Sequence, residues 1–560
     1  MPITLKQIFR YWYILSMMVI VVGLPFSKLL LSIGQFMMAG GWIVERFDGK
    51  RWMAAVKGMS TGRIILLAPV VAVSLFGAAI GRGFRDFSRN RAALLFASVL
   101  LLHVAGLLWT TDFNYAFKDL RTKLPLLLLP LFLSTTEAFG KKAFYAMMGL
   151  FILAVLTRSV FNTWLILTRH FVDIRDVSHN VSHITYSLLI CMCLYTLVFF
   201  LFKRNLFPLW QRALILLVLG WLAGYLVLSQ SFTGISVALI TFFILIPVLI
   251  FKTRKLWLKI SLAFGILAIA TVGFFALRSI VRDYYHVNPV DYTKLEKTTS
   301  RGNPYIHNIY AARTENGYSI WIYYQEDELR EAWNKRSRIP YDSLNLKSGP
   351  ISFTIIRYLT SKGWKKDADA VERLTPEEVS AIEKGIANCI FLKEFGIRGR
   401  IYEFLWGYDN YIETGNPTGS TIMQRLEFWK ASVGIIKEHW LWGVGTGDMN
   451  IAFRLQYEKM HTKLAPDQRW RSHNQYLSIF IGFGIFGFIW FLVSLFWPPV
   501  MLHRYGDYFF MVFLIISLMS MLTDDTIESQ TGVSFFAFFY ALFLFGRKEN
   551  DAIIQHDIKP

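Results

Sequence analysis

Apolar residues in this chain gather in repeated unbroken blocks, near 11–25, 27–44, 92–109, 123–136, 143–164, 184–203, 212–229, 233–251, 257–277, 476–497, 507–523 and 531–546. Blocks of roughly 17–25 apolar residues can cross a hydrocarbon core of ~30 Å as helices. A soluble domain has no use for a dozen of them. The expected fold is therefore an all-α polytopic membrane protein with about 12 transmembrane helices. The first block runs into the second without a small-residue cleavage pattern, so no cleavable signal is expected.

Charge sets the orientation. The formal net charge is +20, a value that nucleic-acid binding could also produce. Residues 280–415 balance 19 basic against 19 acidic side chains, so the whole excess lies elsewhere, in short loops between apolar blocks. That is the pattern of a positive-inside membrane protein, and no nucleic-acid partner is expected. With the N-terminus inside, Lys203, Arg204 and Arg212 fall inside, as do Lys252, Arg254, Lys255 and Lys259. The stretches 229–233 and 523–531 fall outside and hold no Lys or Arg. Both termini are then cytoplasmic.

Residues 64–80 are apolar enough to span, yet Arg46, Lys50, Arg51, Lys57 and Arg63 precede them and Arg82, Arg85, Arg89 and Arg91 come after. Cations on both flanks predict a re-entrant hairpin or an interfacial segment instead of a further span.

The chain divides into 1–279 (N-terminal membrane helices), 280–415 (an extracytoplasmic soluble insert), 416–475 (an amphipathic helix and polar loop) and 476–560 (C-terminal helices and a short cytoplasmic tail). The insert reads as mixed and mainly helical. Thr375-Pro-Glu-Glu378 forms a capping box that predicts a helix through about Phe391. A second helix is expected over 326–335, and Trp321 to Tyr324 as a strand or a surface anchor. Cys191, Cys193 and Cys389 build neither a disulfide framework nor a metal site. Outer carboxylates amount to a loose trio, Asp524, Asp525 and Glu528, so no metal and no cofactor are expected.

Polar residues concentrate at the outer surface between Gln424 and Gly487. Arg425 opens an amphipathic helix that ends at the turn Gly443-Val-Gly-Thr-Gly447. That turn reads as flexible, with Asp448 capping the segment after it. Arg469, Arg471, His473 and Asn474 then precede the next span. A dinucleotide loop is excluded because this glycine turn comes after a helix, not a strand.

This combination resembles the O-antigen ligase and polymerase superfamily. Its signature joins an arginine opening a helix, a G-x-G-x-G-D-like turn, a His-Asn pair about 50 residues on, and a G-x-x-G in the next span. Here these are Arg425, Gly443 to Asp448, His473-Asn474 and Gly484 to Gly487. The insert (NGYSIWIYYQEDELREAWNKRS, TIIRYLTSKGWKKDADAV) and the loop DDTIESQTG resemble the Bacteroidota members. The resemblance implies a glycosyltransferase in the bacterial inner membrane with its site facing the periplasm. It would move a glycan from an undecaprenyl-pyrophosphate carrier to lipid A–core without a metal, with membrane lipid as its surroundings. A polymerase or an O-linked oligosaccharyltransferase of the same superfamily stays open. So does a non-enzymatic glycan-lipid transporter, although no internal repeat of the transporter kind is visible.

The residue chemistry agrees with such a transfer. Pyrophosphate is a good leaving group, so the protein must neutralise its charge and activate an acceptor hydroxyl. Arginine grips phosphate oxygens in a fork, and a histidine with a free pKa of ~6.5 is a competent base. Arg425 and His473 are the catalytic candidates; Asn474, Arg471 and His183 are candidate substrate contacts. His183 reads equally as a packed polar residue. One departure stands out: Leu228 to Gly234 reads LSQSFTG, with Phe232 where the family carries a second arginine. Arg121 and Lys123 are nominated to replace that cation.

Overall fold

Thr4 opens the first helix with a capping box, its hydroxyl accepting from the Gln7 N–H while the Gln7 carboxamide accepts from the Thr4 N–H. From Thr4 onward the computed structural model describes residues 4–57, 61–169, 177–178, 181–203, 206–252, 256–311, 313–346, 349–393, 397–548 and 551. The loop cations Arg204, Arg254 and Lys255 lie outside the described residues.

The chain forms two compact units, residues 1–263 with 424–560, and residues 264–423. The first contains α1 (Leu5–Phe26), α2 (Lys28–Arg46), α3 (Gly49–Val56), α4 (Thr61–Ser88), α5 (Arg91–Ala105), α6 (Phe113–Lys123) and α7 (Pro125–Thr135). It continues with α8 (Lys141–Thr168), α9 (His183–Phe202), α10 (Leu209–Leu228), α11 (Phe232–Lys252) and the start of α12 (Leu256–Tyr285). Among the described residues, eight helical stretches are long and apolar enough to cross a bilayer, and three more are apolar but shorter. The protein is an all-α polytopic membrane protein.

Two expected segments differ. The 123–136 block yields only the 11-residue α7, about 16 Å of helix, because Pro125 can start a helix but cannot donate within one. Residues 64–80 form no hairpin: α4 is one unbroken 28-residue helix. Its partners step backward as it advances. Trp52 Nε1 donates to Ala68 O (3.4 Å), Phe47 meets Phe76 (4.7 Å between ring centroids), Trp42 meets Phe84 (6.3 Å), and Arg82 donates to Arg46 O. These contacts of α4 fall on α3, on the end of α2 and on Phe47 between them.

The second unit takes the rest of α12, then β1 (Thr314–Glu315), β2 (Tyr318–Ser319), α13 (Glu326–Arg336), α14 (Ile351–Ser361), α15 (Ala368–Glu372), α16 (Pro376–Glu383), α17 (Ile390–Lys393) and α18 (Ile397–Thr414). The two strands pair antiparallel across the turn Asn316-Gly317. The predicted capping box is present at Thr375 and Glu378, but α16 stops at Glu383, short of Phe391, as Gly385 turns the chain with φ +78°. Trp321 to Tyr324 is not a strand; Tyr324 makes single bridges to Ile306 and Lys366. The core of this unit is Leu329, Trp333, Tyr341, Ile355, Tyr358 and Leu359.

The first unit resumes within α19 (Thr421–Glu438) and continues through α20 (Met449–Lys459), α21 (Gln475–Met501), α22 (Tyr508–Thr523) and α23 (Gln530–Ala541). α22 and α23 carry a buried aromatic core: Phe509, Phe513, Phe535, Phe539 and Tyr540 are all sealed from solvent. The polar start of α21 is held instead by the end of α22 and the segment after it, where Asn474 donates to Leu522 O and Ser478 to Asp525.

Candidate functional site

The site begins with a break in a helix. Gly484 sits in α21 with φ +63° and ψ −165°, which opens the i→i−4 ladder there. An added Cβ would drive into the Leu441 carbonyl, so only glycine fits. The glycine turn supplies the missing donors: Val444 N–H bonds Ile481 O (2.8 Å) and Gly445 N–H bonds Gly482 O (2.9 Å). In return Ile485 N–H bonds Trp440 O (2.9 Å).

The far side of the turn is fastened to the end of α5 and the segment after it. Thr446 Oγ1 donates to His103 O (2.6 Å), and Gly447 N–H donates to Thr110 Oγ1 (3.0 Å). Asp448 stands at the N-cap position of α20 but makes no side-chain cap bond there. Its carboxylate accepts instead from the N–H groups of Thr111 (2.9 Å) and Asp112 (2.8 Å). The turn expected to be flexible is thus pinned on both sides, and the Asp448 carboxylate holds the backbone that leads into α6, whose N-cap is Asp112.

Pinning α6 places its charged face. Asp119 and Lys123 are four residues apart and share that face, with Lys123 Nζ 2.6 Å from Asp119 Oδ1. Lys123 also reaches Glu528 Oε2 (3.0 Å), and Arg471 Nη2 approaches the same oxygen at 3.5 Å. The other Glu528 oxygen accepts from Gln475 Nε2 (3.2 Å), whose own carbonyl takes the Ile527 N–H (2.9 Å). One carboxylate therefore binds α6, the 470s loop and α21 together.

Burial sharpens these charges. Burial alone would raise the Glu528 carboxyl, but Lys123 and Arg471 hold it far below the usual carboxylate range. Asp119 feels the same burial with less compensation and is pushed up to about 6. The Lys123 ammonium loses hydration, yet Glu528 and Asp119 keep it above its ordinary value. Asp525 is raised by burial, partly offset by Arg471. It accepts from Ser478 Oγ (2.7 Å) and Ser472 Oγ (3.3 Å).

His473 sits one residue past that second serine with φ +44°. Its Nδ1 is 3.6 Å from Asp524 Oδ1, an ion-pair distance longer than a hydrogen bond. The imidazole faces the Phe428 ring at 5.7 Å, and Trp429 Nε1 donates to Ser472 O (3.0 Å). Both aromatic residues lie on α19 one turn after Arg425, which is half-buried on the same helix. α19 thus carries Arg425 on the helix that packs against the His473 segment.

The structure brings Lys123 and Arg471 together through Glu528. It does not bring in Arg121, which is exposed about half a turn of α6 away from the face that carries Asp119 and Lys123. Asn474 commits its carboxamide to the fold: Oδ1 caps α21 on Leu477 N–H (3.1 Å) and Nδ2 donates to Leu522 O (3.1 Å). His183 begins α9 with Nε2 2.9 Å from Ser229 O, and Phe232 is exposed at the start of α11. Sequence reasoning missed Asp119, Gln475 and His103. The i,i+4 spacing of Asp119 and Lys123 was a visible signal, as was a histidine inside an apolar helix. Among the described residues, no group of three or more His, Cys, Asp or Glu is placed to hold a metal ion.

An open-mouthed space, about 250 Å³ with the solvent at its mouth included and enclosing room for only about one water molecule, is lined by His103, Asp119, Lys123, Thr446, Arg471 and Glu528, with Ser478, Ile479 and Phe483 completing a wall. Neither His473 nor Arg425 is among its lining residues. Residues 390–492 of the chain match the family model described as O-Antigen ligase. The comparison with curated proteins gives no match. The matched stretch carries Arg425, the pinned glycine turn, His473 and the Gly484 break, and it supports the O-antigen ligase superfamily.

Proposed function

We propose that this chain, of the O-antigen ligase superfamily, is a glycosyltransferase of the bacterial inner membrane whose site faces the periplasm. It moves a glycan from undecaprenyl pyrophosphate to lipid A–core. One observation carries this reading: the family-matched stretch holds both Arg425 and His473 and packs the helix of the first against the loop of the second.

In the transfer, the acceptor hydroxyl oxygen attacks the anomeric carbon of the donor sugar. His473 takes the hydroxyl proton, and the anomeric carbon–oxygen bond to pyrophosphate breaks with its electron pair leaving on the carrier. Arg425 neutralises the departing charge as a bidentate donor. Lys123, buried, and Arg471, partly buried, form a second cation pair, the counterpart of the cation that Phe232 cannot supply. Asp524 closes by a few tenths of an ångström to hold the His473 tautomer. Asn474 acts through the backbone, fixing the loop that turns His473 outward. His183 remains a candidate contact for the acceptor.

The test is complementation of a deletion strain with membrane protein level checked. Positioned acid–base catalysis contributes about 10²–10⁴-fold, so His473→Ala nearly silences transfer while the protein still inserts. Arg425→Lys keeps charge but loses the fork and stays clearly impaired. Loss of all polymer from lipid A–core with carrier-linked polymer accumulating identifies a ligase. A single repeat unit left on the core identifies a polymerase instead. Near-normal ligation by His473→Ala would end the general-base assignment.

A further inference from the structure

His103 is 2% exposed, on α5, inside an apolar stretch where a polar ring needs a reason to be. Its Nδ1 lies 2.8 Å from Val99 O, one turn back. A carbonyl only accepts, so Nδ1 carries the proton, and the neutral ring leaves Nε2 as a bare acceptor. No group among the described residues bonds that nitrogen, and the histidine lines the space shared by Lys123, Arg471, Asp119 and Glu528. The ring is held in place. Phe483 meets it edge-on at 4.7 Å, and Thr446 Oγ1 fastens the backbone carbonyl of His103 to the glycine turn.

We infer that His103 Nε2 is a built acceptor for a ligand hydroxyl, next to the anionic group that Lys123 and Arg471 receive. A bare imidazole nitrogen repels a phosphate oxygen but accepts an O–H. The two cations prefer an anionic oxygen. A hydroxyl acceptor in a water-sized niche beside two cations at an open mouth suits a sugar phosphate, whose hydroxyls stand a few bonds from the charged oxygens, better than it suits a bare anion. On the transferase reading, which this inference rests on, that ligand is the carrier-proximal sugar next to the pyrophosphate. His103 then selects which sugar is transferred, as a specificity residue that takes no proton in the reaction.

The experiment uses the full-length protein in detergent and two probes of equal charge, methyl phosphate and glucose 1-phosphate, with binding measured by calorimetry. One hydrogen bond to a buried group corresponds to roughly tenfold in affinity, and the wild type should prefer glucose 1-phosphate by about that factor. His103→Asn keeps a donor for Val99 O but withdraws the acceptor, so the preference disappears while methyl phosphate binds as before. His103→Gln reaches the Nε2 position with an amide oxygen and retains the preference. If His103→Asn keeps it, the histidine only packs and the inference is wrong. Methyl phosphate bound with no sugar preference in the wild type, where a cavity water alone meets Nε2, also overturns it and leaves the cation pair standing. If neither probe binds the wild type, the cation pair fails as an anion site and the inference fails with it.

Discussion

Lys123 and Lys366 are equally hidden, at 1% and 2% exposure, and burial acts on them in the same direction. They end in opposite states. Lys123 stands between two carboxylates and is held above its ordinary value. Lys366, in the second unit, has Ser319 O at 3.3 Å and a single neighbouring acid, Asp367, whose Oδ2 accepts from Tyr305. Burial pulls Lys366 down to about 7. The same side chain at the same depth is a fixed cation in one place and half-neutral at physiological pH in the other. Company, not depth, decides whether a buried charge can serve an anion.

The largest break in this comparison comes from Lys123→Met. It leaves Asp119 and Glu528 facing each other without their shared cation. Removing one partner of a buried ion group costs about 3–5 kcal/mol. The expected outcome is a steep fall in membrane protein level and in the melting temperature of the detergent-solubilised chain. A variant that melts like the wild type would mean that Arg471 alone satisfies Glu528.

Lys366→Met should go the other way. The folded pKa lies below the unfolded one, so between about pH 7 and 10.5 the unfolded state binds more protons, and wild-type stability rises with pH across that window. Methionine removes the burial penalty at pH 7 and stabilises by up to about 4 kcal/mol. Amide exchange in α14 and α15 of the full-length protein would slow at pH 7, and its pH dependence would flatten. Faster exchange at pH 7 would show that the bond to Ser319 O matters more than the desolvation.

These two lysines also mark what sequence can and cannot reveal. The blocks that became α1, α8, α9 and α10 were readable because each satisfies its backbone within itself. So was the Thr375 capping box, whose two partners are three residues apart. Arg425 and His473 were nominated from motif spacing, and the complementation assay is what tests them. The Glu528 grip on Lys123 joins residues 405 positions apart, and the Asp448 carboxylate bonds a segment 337 positions away. No periodicity carries such pairings. Local pattern misled where two local rules compete. Cations flanking 64–80 argued against a span, but they could not choose between a hairpin and the single helix α4. In Lys365-Lys366 the extended backbone turns neighbours to opposite faces, exposing one and burying the other.

The smallest effect belongs to Asp119, the second carboxylate of the Lys123 group. Its folded pKa is raised to about 6 from an ordinary value of 3.8. Between those values the folded state binds more protons than the unfolded one, so stability is lost as pH rises through the window. The penalty is fully present above about pH 6 and absent below about pH 4. Asp119→Asn imitates the protonated acid, still able to hydrogen-bond but without the charge that Glu528 opposes. It should therefore melt like the wild type at pH 4 and higher at pH 7.5, by an amount equivalent to about 1 kcal/mol. Glu528 is the reason the gain stays small: it remains ionised at both pH values and keeps Lys123 charged without help. If Asp119→Asn instead loses stability at pH 7.5, Asp119 is the principal anchor of Lys123, and Glu528 is freer to yield its place to a phosphate.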